Sequence, residues 1–143
     1  MATTMRVELV SPEKVLFSGE ATMVVTRTLG GGDIAFQPGH APFLAALVEG
    51  HTRIYLAEGR VQDVAVHGGF VQVANNQVSI LSDVAELAGD IDSARAQRAR
   101  DAAEAALRAD GADADAAGAM RRATARLAAS GNAGASTGRA AAH

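Results

Sequence analysis

Polar and apolar residues alternate through Arg6-Val7-Glu8-Leu9-Val10, the period of a strand with one face in a core. Met23-Val24-Val25-Thr26, Val61 to Val66 and Val78-Ser79-Ile80-Leu81 are further runs rich in β-branched residues. Between these runs stand Ser18-Gly19-Glu20, Gly30-Gly31-Gly32, Pro38-Gly39, Glu49-Gly50, Glu58-Gly59, Gly68-Gly69 and Asn75-Asn76. Such residues reach positive φ cheaply or fix a turn. Short strands with turn signals about every 8–12 residues predict an antiparallel sandwich or barrel.

The texture changes near Ala88 to Asp92. Beyond Asp90 the only large apolar residues are Ile91, Leu107, Met120 and Leu127, and alanine and arginine dominate. Asp92 is a good N-cap, and Ser93 to Ala109 is rich in helix formers. Asp110-Gly111 ends that run. Asp113 or Asp115 then caps a second helix expected to run to Ala129 and to stop at Ser130-Gly131. A short connection between two helices predicts an antiparallel hairpin. Its contact face is mostly alanine, which allows close approach but buries little apolar area. Such an arm must dock on something, or be able to leave it. The chain thus divides into a β-sandwich over 1–89, a helix-turn-helix over 90–130 and a disordered tail over 131–143, with Gly89 giving freedom at the hinge.

Composition narrows the class. Hydrophobic residues make up 48% but aromatics only 3%, with no tryptophan. The interior must therefore be built from Val, Leu, Ile and Ala, with Phe17, Phe36, Phe43, Phe70 and Tyr55 as the bulky pieces. The absence of cysteine excludes disulfides and thiolate metal sites and suits a reducing compartment. No stretch approaches the roughly 20 apolar residues of a membrane span, and Met1 to Arg6 does not read as a secretory signal. A formal charge of -3 argues against a nucleic-acid partner. These features predict a soluble cytosolic protein. The charge is uneven: residues 90–117 carry acids and arginines together, whereas the segment after Ala117 carries arginines and no acid. A movable helical element with a basic end suits a partner surface or an anion.

Catalytic signatures are missing. There is no Gly-x-Ser-x-Gly elbow, P-loop or His-Glu-x-x-His. His40, His51, His67 and His143 are scattered and read as turn or surface residues rather than metal ligands. Gly30-Gly31-Gly32 precedes no helix-forming run, so it reads as a hairpin tip and not a phosphate cradle. The most specific string is Phe36-Gln37-Pro38-Gly39-His40-Ala41-Pro42-Phe43-Leu44. Pro38-Gly39 makes a tight turn, and Pro42 cannot donate to a ladder, which places the segment at an edge or rim.

Together with Ser11-Pro12-Glu13, Val15-Leu16-Phe17-Ser18-Gly19, Gly68-Gly69-Phe70-Val71-Gln72-Val73 and Ile91-Asp92-x-x-Arg95-Ala96, this string resembles the epsilon-subunit family of F-type ATP synthases. The motifs stand in that family's order and spacing over Met5 to Leu127. The resemblance implies a flattened antiparallel β-sandwich of about ten strands followed by a two-helix antiparallel hairpin. It implies a noncatalytic rotor subunit of the central stalk, coupling the gamma subunit to the c-ring during proton-driven ATP synthesis. The subunit would be peripheral, on the cytoplasmic face of the cell membrane, without inserting into it. The hairpin, when extended, would reach the alpha/beta catalytic subunits and inhibit ATP hydrolysis. Gly31, Gly32, Asp33, Pro38, Gly39, His40 and Pro42 would meet the polar c-ring loops.

Some members of the family bind ATP as a regulatory ligand on the folded-down hairpin. The matching positions are Glu86, Ile91, Asp92, Arg95, Arg122 and Arg126. Arg122 and Arg126, one helical turn apart, could receive phosphates, and Asp92 an adenine amine. Ala102 departs from the pattern, standing where ATP-binding members carry an arginine. Loss of one charge-assisted phosphate contact would weaken binding about tenfold or more. Besides the rotor reading stand a free-standing ligand-binding β-sandwich, which requires a concave pocket with convergent polar groups, and an enzyme, for which no nucleophile, metal set or cofactor fingerprint is visible.

Overall fold

The computed structural model describes residues 3–142, with side chains described through residue 131. Seven strands come first: β1 (Met5–Val10), β2 (Val15–Thr28), β3 (Gly32–Phe36), β4 (Phe43–Leu56), β5 (Val61–Ala74), β6 (Gln77–Leu81) and β7 (Ala85–Leu87). A 3₁₀ turn (Ala88–Asp90) leads to α1 (Ser93–Ala109) and α2 (Ala114–Ala142). The strands run in the order β1-β6-β5-β4-β2-β3, β7 pairs with β5, and a β1–β2 pairing closes the sheet on itself. All pairs are antiparallel except β1–β6, which is parallel.

Seven strands replace the expected ten because β2, β4 and β5 are each 14 residues long. Three of the expected turn signals lie inside these strands. Gly19 sits in β2, Gly50 in β4 and Gly68-Gly69 in β5. Their glycines serve bends and close approaches instead of chain reversal. At the β5 bend, Gly68 and Gly69 have φ of +86° and +115°, and a Cβ on Gly69 would lie 2.0 Å from the Leu81 carbonyl oxygen. The bend lets the first half of β5 pair with β7 and the second half with β6. Likewise, β2 gives its first half to β1 and its second to β3 and β4. Long bent strands shared between layers make the flattened sandwich.

Chain reversals occur where φ demands them. Asn75 and Asn76 both have positive φ and form the two-residue link between β5 and β6, the type I′ geometry that matches strand twist. The interior alternates as β1 requires: Val7, Leu9, Val24, Ile54, Val64, Val71 and Ile80 are fully buried. Each contributes about 1.5–3 kcal/mol. Phe36 is the bulky centre, with Phe17 and Phe43 packed partly buried against the core. Phe70 departs from expectation and is 55% exposed, since its strand parity turns it outward between buried Val71 and Gly69.

The hairpin forms as its caps dictate. Asp92 Oδ1 accepts from the Arg95 backbone N–H at 3.0 Å, and Asp113 Oδ1 accepts from Ala116 N–H at 3.0 Å. Alanines 96, 103, 116, 123, 125 and 129 are buried, so the helices approach closely as the alanine face predicts. The backbone of α2 continues through Ser130-Gly131; a glycine inside an alanine-rich helix costs only about 1 kcal/mol. The expectation of a disordered tail over 131–143 falls on residues whose side chains, from 132 onward, lie outside those described. Among the described residues, no helix is long and apolar enough to cross a membrane.

Candidate functional site

The hairpin lies on the outer face of β4 and β5. Strand parity puts Glu49, His51, Arg53, Asp63, Ala65 and His67 on that face, beneath α2. Ala65, Ala125 and Ala129 form a small apolar contact joined by Ile91. Two ion pairs flank it. Arg126 Nε lies 2.6 Å from Glu86 Oε1 on β7, and Arg121 Nε lies 3.4 Å from Glu49 Oε2 on β4.

Glu86 Oε1 is shared. The imidazole Nε2 of His67 also reaches it, at 3.0 Å. Donation to a carboxylate requires the proton on Nε2, which leaves Nδ1 bare, and Nδ1 is buried with no hydrogen-bond partner among the described residues. Burial pushes the His67 pKa below its ordinary value, against the raising effect of Glu86, and the Arg126 charge adds to the lowering. For Glu86, burial alone would raise the carboxyl, but the hydrogen bonds from Arg126 and His67 outweigh it and hold the group below the ordinary carboxylate value. The turn-or-surface reading of the histidines therefore fails at two positions. The His67 side chain is only 4% exposed, and His51, within β4, meets the buried Asp63 Oδ1 at 2.6 Å. Their alternation with Val64 and Val66 on β5, and with Thr52 on β4, marks the outer face; only the hairpin above makes that face interior.

Two clefts open where the hairpin meets the sandwich. The smaller, of about 320 Å³, is lined by Glu86, Asp90, Asp92, Arg95, Ala96, Ala99 and Arg126. Four of the six expected nucleotide positions thus converge. Ile91 does not line it and instead packs against the alanine contact. Arg122 is exposed and also does not line it. Sequence reasoning missed Asp90, a third carboxylate beside two guanidiniums. Arg126 spends its Nε on Glu86, which leaves its terminal nitrogens available. Asp92 spends one oxygen on its cap, which leaves the other. The larger cleft, of about 670 Å³, runs between α2 and strands β2 and β4 and is lined by Arg27, Arg53, His51, Glu49 and Arg121 among others. Among the described residues, no group of His, Cys, Asp and Glu could hold a metal ion.

Of the residues expected to meet polar loops, Gly31, Gly32, Asp33, Gly39 and Pro42 are exposed and Pro38 and His40 half-buried, and Asp33 also lines the rim of the larger cleft. Gly31 and Gly32 turn the β2–β3 connection, and Asp33 is exposed on β3. Pro38-Gly39-His40 follows the other end of that strand. His40 is held edge-on between Phe36 and Phe43, with ring centroids 5.0 and 6.1 Å away. Asn76 Oδ1 accepts from the Gly39 N–H at 3.0 Å while Asn76 Nδ2 donates to the Thr4 carbonyl at 2.9 Å. The loop is therefore fixed, with Gly39 and Pro42 left exposed.

Comparison with known proteins agrees with this geometry. The family described as ATP synthase, Delta/Epsilon chain, beta-sandwich domain matches residues 4–88. The ATP synthase epsilon chain of Streptomyces griseus is 46% identical over 127 residues, covering 89% of this chain and 95% of its own. That of Brevibacillus brevis is 44% identical over 100 residues, covering 70% and 75%. In fold, the chain is similar to one in the cryo-EM structure of the Euglena gracilis mitochondrial ATP synthase (OSCP/F1/c-ring). The TM-score there is 0.68 with 19% identity, covering 96% of this chain and 83% of that one. On its sandwich, its hairpin and these relatives, the chain belongs to the epsilon-chain family of F-type ATP synthase subunits.

Proposed function

We propose that this chain is a noncatalytic rotor subunit of the central stalk, peripheral to the membrane on its cytoplasmic face. The sandwich couples the gamma subunit to the c-ring, and the hairpin regulates. The observation that carries the reading is the manner of docking. The arm is held to a rigid sandwich by a small alanine contact and two partly exposed ion pairs. Exposed pairs contribute only about 0–1 kcal/mol each, so the arm can be released without unfolding the body. Released and extended along gamma, it would meet the alpha/beta subunits and inhibit hydrolysis. The exposed turn at Gly31-Gly32-Asp33 and the fixed loop at Pro38-Gly39-His40 with Pro42 are suited to hydrogen-bond the polar loops of a c-ring.

ATP is the regulatory ligand proposed for the smaller cleft, weakly held. Asp92 keeps an oxygen for the adenine amine, and Arg95 and Arg126 offer guanidinium nitrogens to phosphate. Three carboxylates in the same cleft, Ala102 in place of an arginine and the outward Arg122 all act against tight binding. The rotor reading is tested by mixing the purified chain with the gamma subunit of the same source. A stable complex is expected, and no measurable affinity would overturn the reading. ATP is tested by calorimetry on the full chain: a binding component that disappears in Arg95→Ala supports this site, and heat unchanged by that substitution refutes it.

A further inference from the structure

The larger cleft carries an inference of its own. Two arginines reach it from neighbouring strands, Arg27 on β2 and Arg53 on β4, and a third, Arg121, reaches it from α2. Arg121 is answered by Glu49. Among the described residues neither Arg27 nor Arg53 forms an ion pair, and the Nε of Arg53 is buried without a hydrogen-bond partner. A desolvated guanidinium N–H with no acceptor is unfavourable, and an anion supplied from outside would satisfy it. Gly50 shapes the floor: a Cβ there would lie 2.8 Å from Arg27 Cβ and 3.2 Å from its Cδ, so glycine is what lets the Arg27 stem lie across β4. The opposite wall is apolar, from Met120, Ala125 and Ala128. The volume of about 670 Å³ falls in the range of small-molecule sites, about 300–1,000 Å³.

Charge separates the two clefts. The smaller sets two guanidiniums among three carboxylates, whereas the larger sets three guanidiniums among two, Asp33 and Glu49. On that balance the larger cleft is the better host for a polyanion. Forked N–H donors suit phosphate oxygens, and the alanine and methionine wall suits an apolar or aromatic body. We propose that the cleft between α2 and β2–β4 binds a small organic phosphate, held by Arg27 and Arg53 from the sandwich and Arg121 from the hairpin. Since the ligand touches both parts, it stabilises the docked arm by mass action, binding the docked form and not the released one. The site is separate from the ATP cleft proposed above and stands whether or not that cleft binds ATP.

The test is calorimetry on the purified full chain with inorganic pyrophosphate and with ADP, repeated in Arg95→Ala to silence the smaller cleft. Both probes should bind in either background, with ADP the tighter because it adds a body for the apolar wall. Arg27→Gln and Arg53→Gln should each weaken both about tenfold or more. Arg27 is exposed on the strand surface, so its variant keeps the fold even if the half-buried Arg53 does not tolerate change. Hydrogen exchange of α2 amides should slow when ADP is added. No heat from either probe at millimolar concentration would overturn the proposal. So would binding that is lost in Arg95→Ala but kept in Arg27→Gln, or ADP no tighter than pyrophosphate.

Discussion

Glu86 and Arg126, forty residues apart in the chain, meet at 2.6 Å and join the last strand of the sandwich to the second helix of the arm. The contact occupies the same carboxylate oxygen that His67 reaches from β5. One carboxylate thus anchors the movable element and satisfies a buried imidazole beneath it.

Removing that anchor should loosen the arm selectively. Glu86→Gln and Arg126→Ala are each expected to reduce docking by about 1 kcal/mol, the scale of a partly exposed ion pair. Hydrogen exchange should then quicken several-fold in α2 while β5 and β6 stay protected. Equal acceleration in strands and helices would mean that the arm and body unfold together.

Acid should release the arm in two stages. Folding lowers the His67 value below 6.5, so neutral His67 favours the docked form above pH 6.5 and that contribution is lost as pH falls below it. Folding also lowers Glu86 below 4.5, so its contribution is complete above pH 4.5 and is lost as pH drops through the lower folded value. Protection factors of α2 amides, with intrinsic exchange divided out at each pH from 8 to 4, should fall first below about 6.5, and His67→Gln should remove that first fall. Protection factors that stay constant with pH in the parent chain would show that His67 is not linked to docking.

The bend in β5 should tolerate nothing but glycine. At Gly69, φ of +115° and the 2.0 Å approach of a Cβ to the Leu81 oxygen combine strain with a clash against backbone. Gly69→Ala is expected to cost about 3 kcal/mol or more, measured as a shift in the denaturant midpoint. Gly30→Ala has open space at its Cβ but φ of +79°, so about 1 kcal/mol is expected there. A Gly69 variant as stable as the parent would contradict the bend geometry.

Ala102 offers a gain-of-function test. It lies on α1 beyond Ala99, which lines the smaller cleft. Ala102→Arg should tighten ATP about tenfold, read by calorimetry, with no change in thermal stability of the ligand-free chain. Unaltered affinity would place the nucleotide elsewhere.

The elements that local pattern controls were legible in the residues. The alternation of Arg6 to Val10 reappears as buried Val7 and Leu9, and Asp92 caps α1 as its side chain invites. The converging site was legible only through the resemblance, because nothing local joins Glu86 to Arg126 or turns Arg122 outward. Strand length was misread for a physical reason. Glycine reads alike whether it reverses the chain, as Gly30 does, or lets a continuous strand bend, as Gly68-Gly69 does. Histidine was misread because the outer face of β4 and β5 has the polar alternation of a solvated surface, and only the docked helix buries His67 there.

The most direct measurement compares ATP hydrolysis by the synthase complex assembled with the full chain and with a chain ending before Ile91. Residues 4–88 hold the complete sandwich, so rotor assembly should be intact with either. Hydrolysis should be several-fold faster with the shortened chain if the hairpin is the inhibitory arm. Equal hydrolysis by two fully assembled complexes would contradict that role.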